Sequence, residues 1–156
     1  MRINLLKSIF HNIGVLIVGF VFAFLGTRLD VLFGILRFKS PLITIAACLL
    51  LAVGFLLRVW ATFYFYEQRM KVISLVPQNR LITSGPYSFS RNPLYLGGNV
   101  FIFLGAVLFL GSPSGIFLII INILVVDIMI RREEKQLERV FGEEWIRYRS
   151  RVRRWL

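Results

Sequence analysis

Two residue types that build metal and redox sites are almost missing from this sequence of 156 residues, which contains one cysteine and one histidine. The single Cys48 excludes an internal disulfide, a CxxC motif and a four-cysteine zinc site. The single His11 excludes a histidine-rich metal site, and any histidine-based catalytic triad would have to use it. His11 lies just before an apolar run, which favours a structural residue at a membrane interface.

Charged residues are scarce too, at 17% of the chain, and only 8 are acidic, compared with 19 lysines and arginines. Soluble domains average about 25% charged and about 45–50% apolar residues, whereas this chain is 57% hydrophobic with a mean hydropathy of +0.73. This composition excludes a disordered chain, and the length indicates one domain. No nucleic-acid-binding motif accompanies the net charge of +11, so the positive-inside rule explains that charge better.

Four apolar segments have about the length of a membrane-spanning helix, which needs about 20 predominantly apolar residues. They predict an all-α integral membrane protein with about four transmembrane helices. The segments are Ile9–Gly26, Pro41 to about Tyr66, Leu94–Leu110 and Ser114–Ile130. The first also has features of a signal peptide, but no small-x-small cleavage site precedes Arg28, so we expect a retained helix.

The connections between these segments give further predictions. Thr27–Ser40 is apolar but contains Asp30, Arg37 and Lys39, which indicates an interfacial or re-entrant connector. Ser112 and Pro113 are typical of an N-cap and a first helical residue, so the third and fourth segments should form a tight antiparallel hairpin. Small residues such as Gly97 and Gly105 would allow close helix contact.

Two polar stretches complete the chain. Glu67–Pro93 has turn signals at 77–79 and 84–86, and the tail 131–156 has the periodicity of one amphipathic helix, or of two joined near Gly142. With four spans, both stretches and both termini share one side. That side holds sixteen of the 19 basic residues, so it should be cytoplasmic. Arg58, beside an aromatic belt, is expected to snorkel towards this interface.

The entry to the third segment is the first candidate site. Arg91 offers a planar donor fork for a carboxylate, and Asn92 offers both a donor and an acceptor. Tyr95 lies in the first helical turn, and Gly97 and Gly98 would leave room for a ligand beside the backbone. An ordinary helix entry, with a snorkelling Arg91 and an interfacial Tyr95, explains the same residues, and their chemistry alone does not decide between the two.

Acidic residues near the end of the fourth segment form the second candidate. An acidic group at membrane depth is costly, which marks Asp127 as a functional candidate. Glu134 lies on nearly the same helix face and could hold a ligand's ammonium group or ribose hydroxyls. In the structural alternative, Asp127 pairs with Arg131 at i+4, while Glu133 and Glu134 pair with the basic tail.

Both candidate regions carry motifs that resemble one known family. The sequence SGPY, followed by RNPLYLG at 91–97, resembles the RHPxYxG motif of the isoprenylcysteine carboxyl methyltransferases. The tail sequence EExxLxxxFGxEWxxYxxxV, from Glu133 to Val152, resembles that family's EExxLxxxFGxEYxxYxxxV. Related phospholipid methyltransferases carry similar features. The resemblance covers roughly Leu56 to Leu156, with both motifs in the right order around a helical hairpin.

Members of this family are integral membrane enzymes that use S-adenosyl-L-methionine. The resemblance therefore implies a methyltransferase-like core at 41–156, after an N-terminal helix and connector at 1–40, with a cofactor site capped by 131–156. It implies catalytic roles for Arg91 and Glu134, and no metal. It implies cofactor binding by Tyr87, Asn92, Pro93, Tyr95, Leu96, Gly97, Glu133 and Glu134. Asn92 replaces the family's usual histidine, and an amide cannot act as a base near neutral pH.

The expected function is methyl transfer to a lipophilic acceptor, either a small molecule or a lipid-linked substrate, at the cytoplasmic face of the membrane. In a prokaryote this would be the inner membrane. In-line transfer from a sulfonium needs alignment and desolvation more than a base. Two alternatives stay open: an NADPH-dependent membrane reductase of the sterol-reductase type, and a non-catalytic protein whose basic tail binds anionic lipid. The sequence leaves the acceptor and the oligomeric state open.

Overall fold

The computed structural model describes residues 2–70 and 80–156, and within these ranges four helices are long and apolar enough to cross a membrane. They are α1 (Arg2–Leu32), α2 (Pro41–Glu67), α3 (Pro93–Leu110) and α4 (Pro113–Phe141), and a short helix, α5 (Glu143–Arg151), follows. The prediction of an all-α membrane protein is confirmed. The turn predicted at 77–79 lies outside the described residues.

The four long helices pack into a bundle in which α1 contacts each of the other three. The interior is built from small, branched and aromatic apolar side chains: Ala23, Ile102, Phe103, Ala106, Val107 and Ile119. The outward faces are apolar as well, with exposed residues such as Leu42, Leu56 and Phe117. A continuous apolar exterior of this kind suits a lipid environment, because in water it would drive association.

Helix α1 continues past Gly26 to Leu32, so the prediction that Thr27–Ser40 is entirely a connector was wrong for its first part. The reason is Asp30, whose carboxylate is 1% exposed. It accepts hydrogen bonds from the Ser112 hydroxyl at 2.5 Å and from the Ser114 amide at 2.8 Å. Because the protein itself satisfies this charge, the charge does not end the helix.

The predicted hairpin of α3 and α4 is confirmed. Gly111 ends α3 with a φ of 66°, and the Ser112 hydroxyl caps α4 by accepting from the Gly115 amide at 3.0 Å. However, α4 runs without a break to Phe141, so the predicted end at Ile130 was wrong. The tail contains two helices joined at Gly142, which has a φ of 51°. This was one of the two predicted alternatives.

The predicted close helix contact at the α3 glycines is confirmed, and the helix that they contact is α2. A Cβ on Gly105 would lie 3.1 Å from the Ala47 carbonyl oxygen, and one on Gly54 would lie 2.6 Å from that of Gly97. The backbones of α2 and α3 therefore touch. At this contact α3 widens into a π-helical stretch, Leu96–Ile102. Such stretches occur frequently at functional sites.

The close approach of α2 and α3 gives a first prediction. Gly54→Ala should destabilise the protein by about 1–3 kcal/mol, because the new methyl group overlaps the Gly97 carbonyl and the Phe101 side chain. Gly14→Ala is the matched control, since a Cβ there meets nothing within 4 Å and alanine favours helix by about 1 kcal/mol. Thermal unfolding in detergent measures both variants. Equal stabilities of the two variants would contradict this packing.

The buried Asp30 gives a second prediction. Asp30→Ala should cost about 1–3 kcal/mol, because it leaves the buried Ser112 hydroxyl and the Ser114 amide without their acceptor. Asp30→Asn keeps one acceptor oxygen and should cost less. The midpoint of thermal unfolding in detergent measures the order. An alanine variant as stable as the parent protein would show that this carboxylate does not hold α1 to the hairpin.

Candidate functional site

The candidate site lies at the end of the bundle where α3 begins. The loop before α3 contains a predicted turn, seen here as the 3-10 helix Gly85–Ser88, with a φ of 63° at Gly85. The other wall is the second half of α4 together with α5. The two motifs, which are far apart in the sequence, therefore meet at this end of the bundle.

An ionic cluster joins the two motifs around Glu134, which is 7% exposed. Its carboxylate contacts Arg91 Nη2 at 3.2 Å and accepts from Arg154 Nη2 at 2.6 Å. Arg154 also reaches Asp127 at 3.3 Å, and Asp127 makes the predicted local pair with Arg131 at 2.6 Å. Burial lowers the pKa of Arg91 while Glu134 opposes this shift, and the hydrogen bond to Glu134 raises the pKa of Arg154.

The remaining polar residues of the two motifs are also in contact. The Tyr95 hydroxyl donates to the Glu133 carboxylate at 2.7 Å, and the Asn92 side-chain amide donates to the Arg154 carbonyl at 3.2 Å. The Arg91 amide donates to the Arg153 carbonyl at 3.0 Å. The final residues, 152–156, thus cross over the loop. Asn92 acts here as a donor, which does not require a titrating group.

Several buried donors at this site have no acceptor among the described residues. They are the Tyr87 hydroxyl, Arg91 Nε and Nη1, and Trp145 Nε1. The Arg91 guanidinium lies over the Trp145 ring, 5.6 Å from its centroid. Burial raises the pKa of Tyr87 well above its usual value, so the phenol keeps its proton. Buried polar groups are normally satisfied, and this set of donors fits a ligand group that offers acceptor oxygens.

Three predicted cofactor-binding residues lie deeper in the bundle. Pro93 is the buried first residue of α3, and Leu96 is buried as well. The expected room for a ligand beside Gly97 is filled, because a Cβ there would lie 2.8 Å from Arg58 Cγ. That prediction was wrong for the side of α3 that faces α2, where the absence of a side chain on Gly97 leaves room for Arg58. Arg58 itself is buried at 8% exposure, so the prediction that it snorkels was also wrong.

Sequence reasoning missed two arginines of this region. Arg154 lies beyond the last motif residue in a tail that contains nine basic residues, and no pattern distinguishes it there. Arg58 did carry a signal, because it is a charge with apolar neighbours inside a 27-residue helix. An ionisable residue within a membrane span is a functional candidate by default.

Comparison with known proteins identifies the family. The family model for phospholipid methyltransferases matches residues 42–144. An uncharacterized protein of Haemophilus influenzae is 46% identical over 56 residues, which cover 35% of this chain and 89% of that protein. No solved structure matches. The matched residues include α2, α3, α4 and the loop motif, so the expected family is confirmed: this chain belongs to the phospholipid methyltransferase family of membrane proteins.

Proposed function

We propose that this protein transfers a methyl group from S-adenosyl-L-methionine to a lipophilic acceptor at the cytoplasmic face of the membrane. Family membership supports the methyltransferase class. The observation that carries the proposal is the meeting of the two motifs at one end of the bundle. Arg91 pairs there with Glu134 at 3.2 Å, and Tyr95 with Glu133 at 2.7 Å.

The residues at this end fit the cofactor's functional groups. S-adenosylmethionine carries an ammonium, a carboxylate, ribose hydroxyls and a sulfonium that supplies the methyl group. Glu133 and Glu134 provide acceptors for its cationic and hydroxyl groups. The donor atoms of Tyr87, Arg91 and Trp145 that have no acceptor among the described residues suit a carboxylate. We therefore assign the cofactor to this end, capped by α5 and residues 152–156.

The chain's own chemistry favours alignment over acid–base catalysis. Asn92, at the position of the family's usual histidine, cannot take up a proton near neutral pH, and Glu134 is engaged by two guanidinium groups. A carboxylate or thiolate acceptor needs no base, since it attacks as the anion, whereas an amine would have to be neutral on arrival. The task of the protein is then to hold the two reactants in line and exclude water.

The acceptor is proposed to be lipophilic because the helices leading to the site present apolar side chains outward. Trp60 on α2 contacts Phe89 of the loop, with ring centroids 6.1 Å apart, and Phe89 lies two residues before Arg91. A membrane-embedded acceptor therefore has an apolar surface next to the loop. The excess of basic residues at this end of the bundle supports a cytoplasmic orientation.

Ligand binding by the purified protein in mild detergent tests the proposal. By calorimetry, S-adenosylmethionine and S-adenosylhomocysteine should bind saturably, and NADPH should not. Glu134→Gln should raise both dissociation constants about 10–100-fold, because it removes a charged acceptor. Glu133→Gln, an exposed change that disturbs folding less, should act in the same direction.

The matched control is Glu138→Gln on the same helix. Glu138 pairs with Arg149 at 3.1 Å, and both side chains are exposed and outside the ionic cluster around Glu134, so its loss should leave cofactor binding unchanged. Binding of NADPH alone would establish the reductase alternative in place of methyl transfer. If no nucleotide binds to folded protein while anionic vesicles bind in a salt-dependent manner, the non-catalytic alternative is correct.

A further inference from the structure

Arg58 is a buried cation between α1 and the start of α3, without an acidic partner among the described residues. It lies on α2 and is 8% exposed, and none of the ion pairs found in residues 2–70 and 80–156 includes it. Its guanidinium donates instead to two neutral oxygens. A charge in a membrane span is retained only at a cost, so this one calls for a functional explanation.

One of these bonds ties Arg58 to α1. Arg58 Nε donates to Asn12 Oδ1 at 2.7 Å, and the Asn12 amide in turn donates to the Thr62 hydroxyl at 2.8 Å. The Thr62 hydroxyl also contacts that of Ser8. Asn12, Thr62 and Ser8 are completely buried. Asn12 therefore connects Arg58 to a buried polar cluster shared by α1 and α2.

The other bond reaches the helix that carries the candidate site. Arg58 Nη1 donates to the Leu94 carbonyl at 2.6 Å, between motif residues Pro93 and Tyr95. The Arg58 stem also fills the space beside the next glycines. A Cβ on Gly97 would lie 2.8 Å from Arg58 Cγ, and one on Gly98 would lie 2.6 Å from Arg58 Nη1. Arg58 thus contacts α3 where its π-helical stretch begins.

We propose that Arg58 is a positioning residue, which fixes the start of α3 through the Leu94 carbonyl and thereby sets Asn92 and Tyr95 for cofactor binding. This inference rests on the proposed function. Arg58 does not touch the cofactor itself. Arg58 contacts the first turn of α3 through the Leu94 carbonyl. The ionic cluster around Glu134 contacts the loop just before α3 through Arg91.

This role differs from a merely structural one in a measurable way. A buried ion held only for stability can often be replaced by an apolar side chain of similar size without loss of stability. If Arg58 positions α3, that replacement should spare stability and harm binding. A shift of about 1 Å at a binding constellation can cost roughly 100-fold.

The experiment compares Arg58→Met with the parent protein in detergent. We expect an unfolding temperature equal to or above that of the parent, a dissociation constant for S-adenosylhomocysteine raised about 10–100-fold, and faster amide hydrogen exchange within Leu96–Ile102. Because Asn12 loses its partner in this variant, the double variant Arg58→Met with Asn12→Leu removes that polar group as well. Arg58→Lys keeps one donor and should recover part of the affinity.

Thr62→Val is the matched control, because it is nearly isosteric and breaks the same cluster without touching Leu94. It should leave both the dissociation constant and the exchange of α3 unchanged. Parent-like binding and exchange in folded Arg58→Met would overturn the positioning role and leave the proposed function intact. Equal losses of affinity and stability in Arg58→Met and Thr62→Val would also overturn it. Failure of the parent protein to bind any cofactor would count against the proposed function instead.

Discussion

Within the hydrocarbon of a bilayer no water satisfies a charge, so every charged side chain in the spans needs a partner from the protein. The arrangement of this bundle follows that constraint closely. Asp30 is buried against the capped start of α4, Arg58 against Asn12 and the Leu94 carbonyl, and Glu134 against two arginines. Each of these contacts joins segments that are distant in the sequence.

The two ends of the bundle differ in how completely their buried polar groups are hydrogen-bonded. At one end each oxygen of the Asp30 carboxylate accepts a hydrogen bond, one from the Ser112 hydroxyl and one from the Ser114 amide, as expected of a structural contact. At the other end the donors of Tyr87, Arg91 and Trp145 stay without acceptors within the described ranges, beside a carboxylate shared by two guanidinium groups. A site that binds a polar ligand needs donors or acceptors that are free to bond with it, because groups already bonded within the protein cannot bond with the ligand as well.

Residues 152–156 contact both walls of the candidate site. The Arg153 and Arg154 carbonyls accept from the Arg91 amide and the Asn92 side chain, while the Arg154 guanidinium reaches back to Glu134 and Asp127. The segment therefore contacts the loop with its backbone and α4 with its side chain. Together with Arg91, it also occupies the Glu134 carboxylate.

The sequence by itself determined the four apolar helices and their order, the hairpin cap at Ser112 and the family, because apolar run length, capping chemistry and motif spacing are local properties. It also placed Arg91, Asn92, Tyr95, Glu133 and Glu134 on the two segments that meet. Only the tertiary structure decided whether a charged residue ends a helix or lies buried within it, and which groups it bonds with. From the sequence, Asp30 and Arg58 are expected to face water. In the structure they are buried, because groups distant in the sequence bond with them. The glycines of α3 likewise allow a close helix contact by their size, but the partner helix, α2 and not α4, depends on packing across the whole bundle.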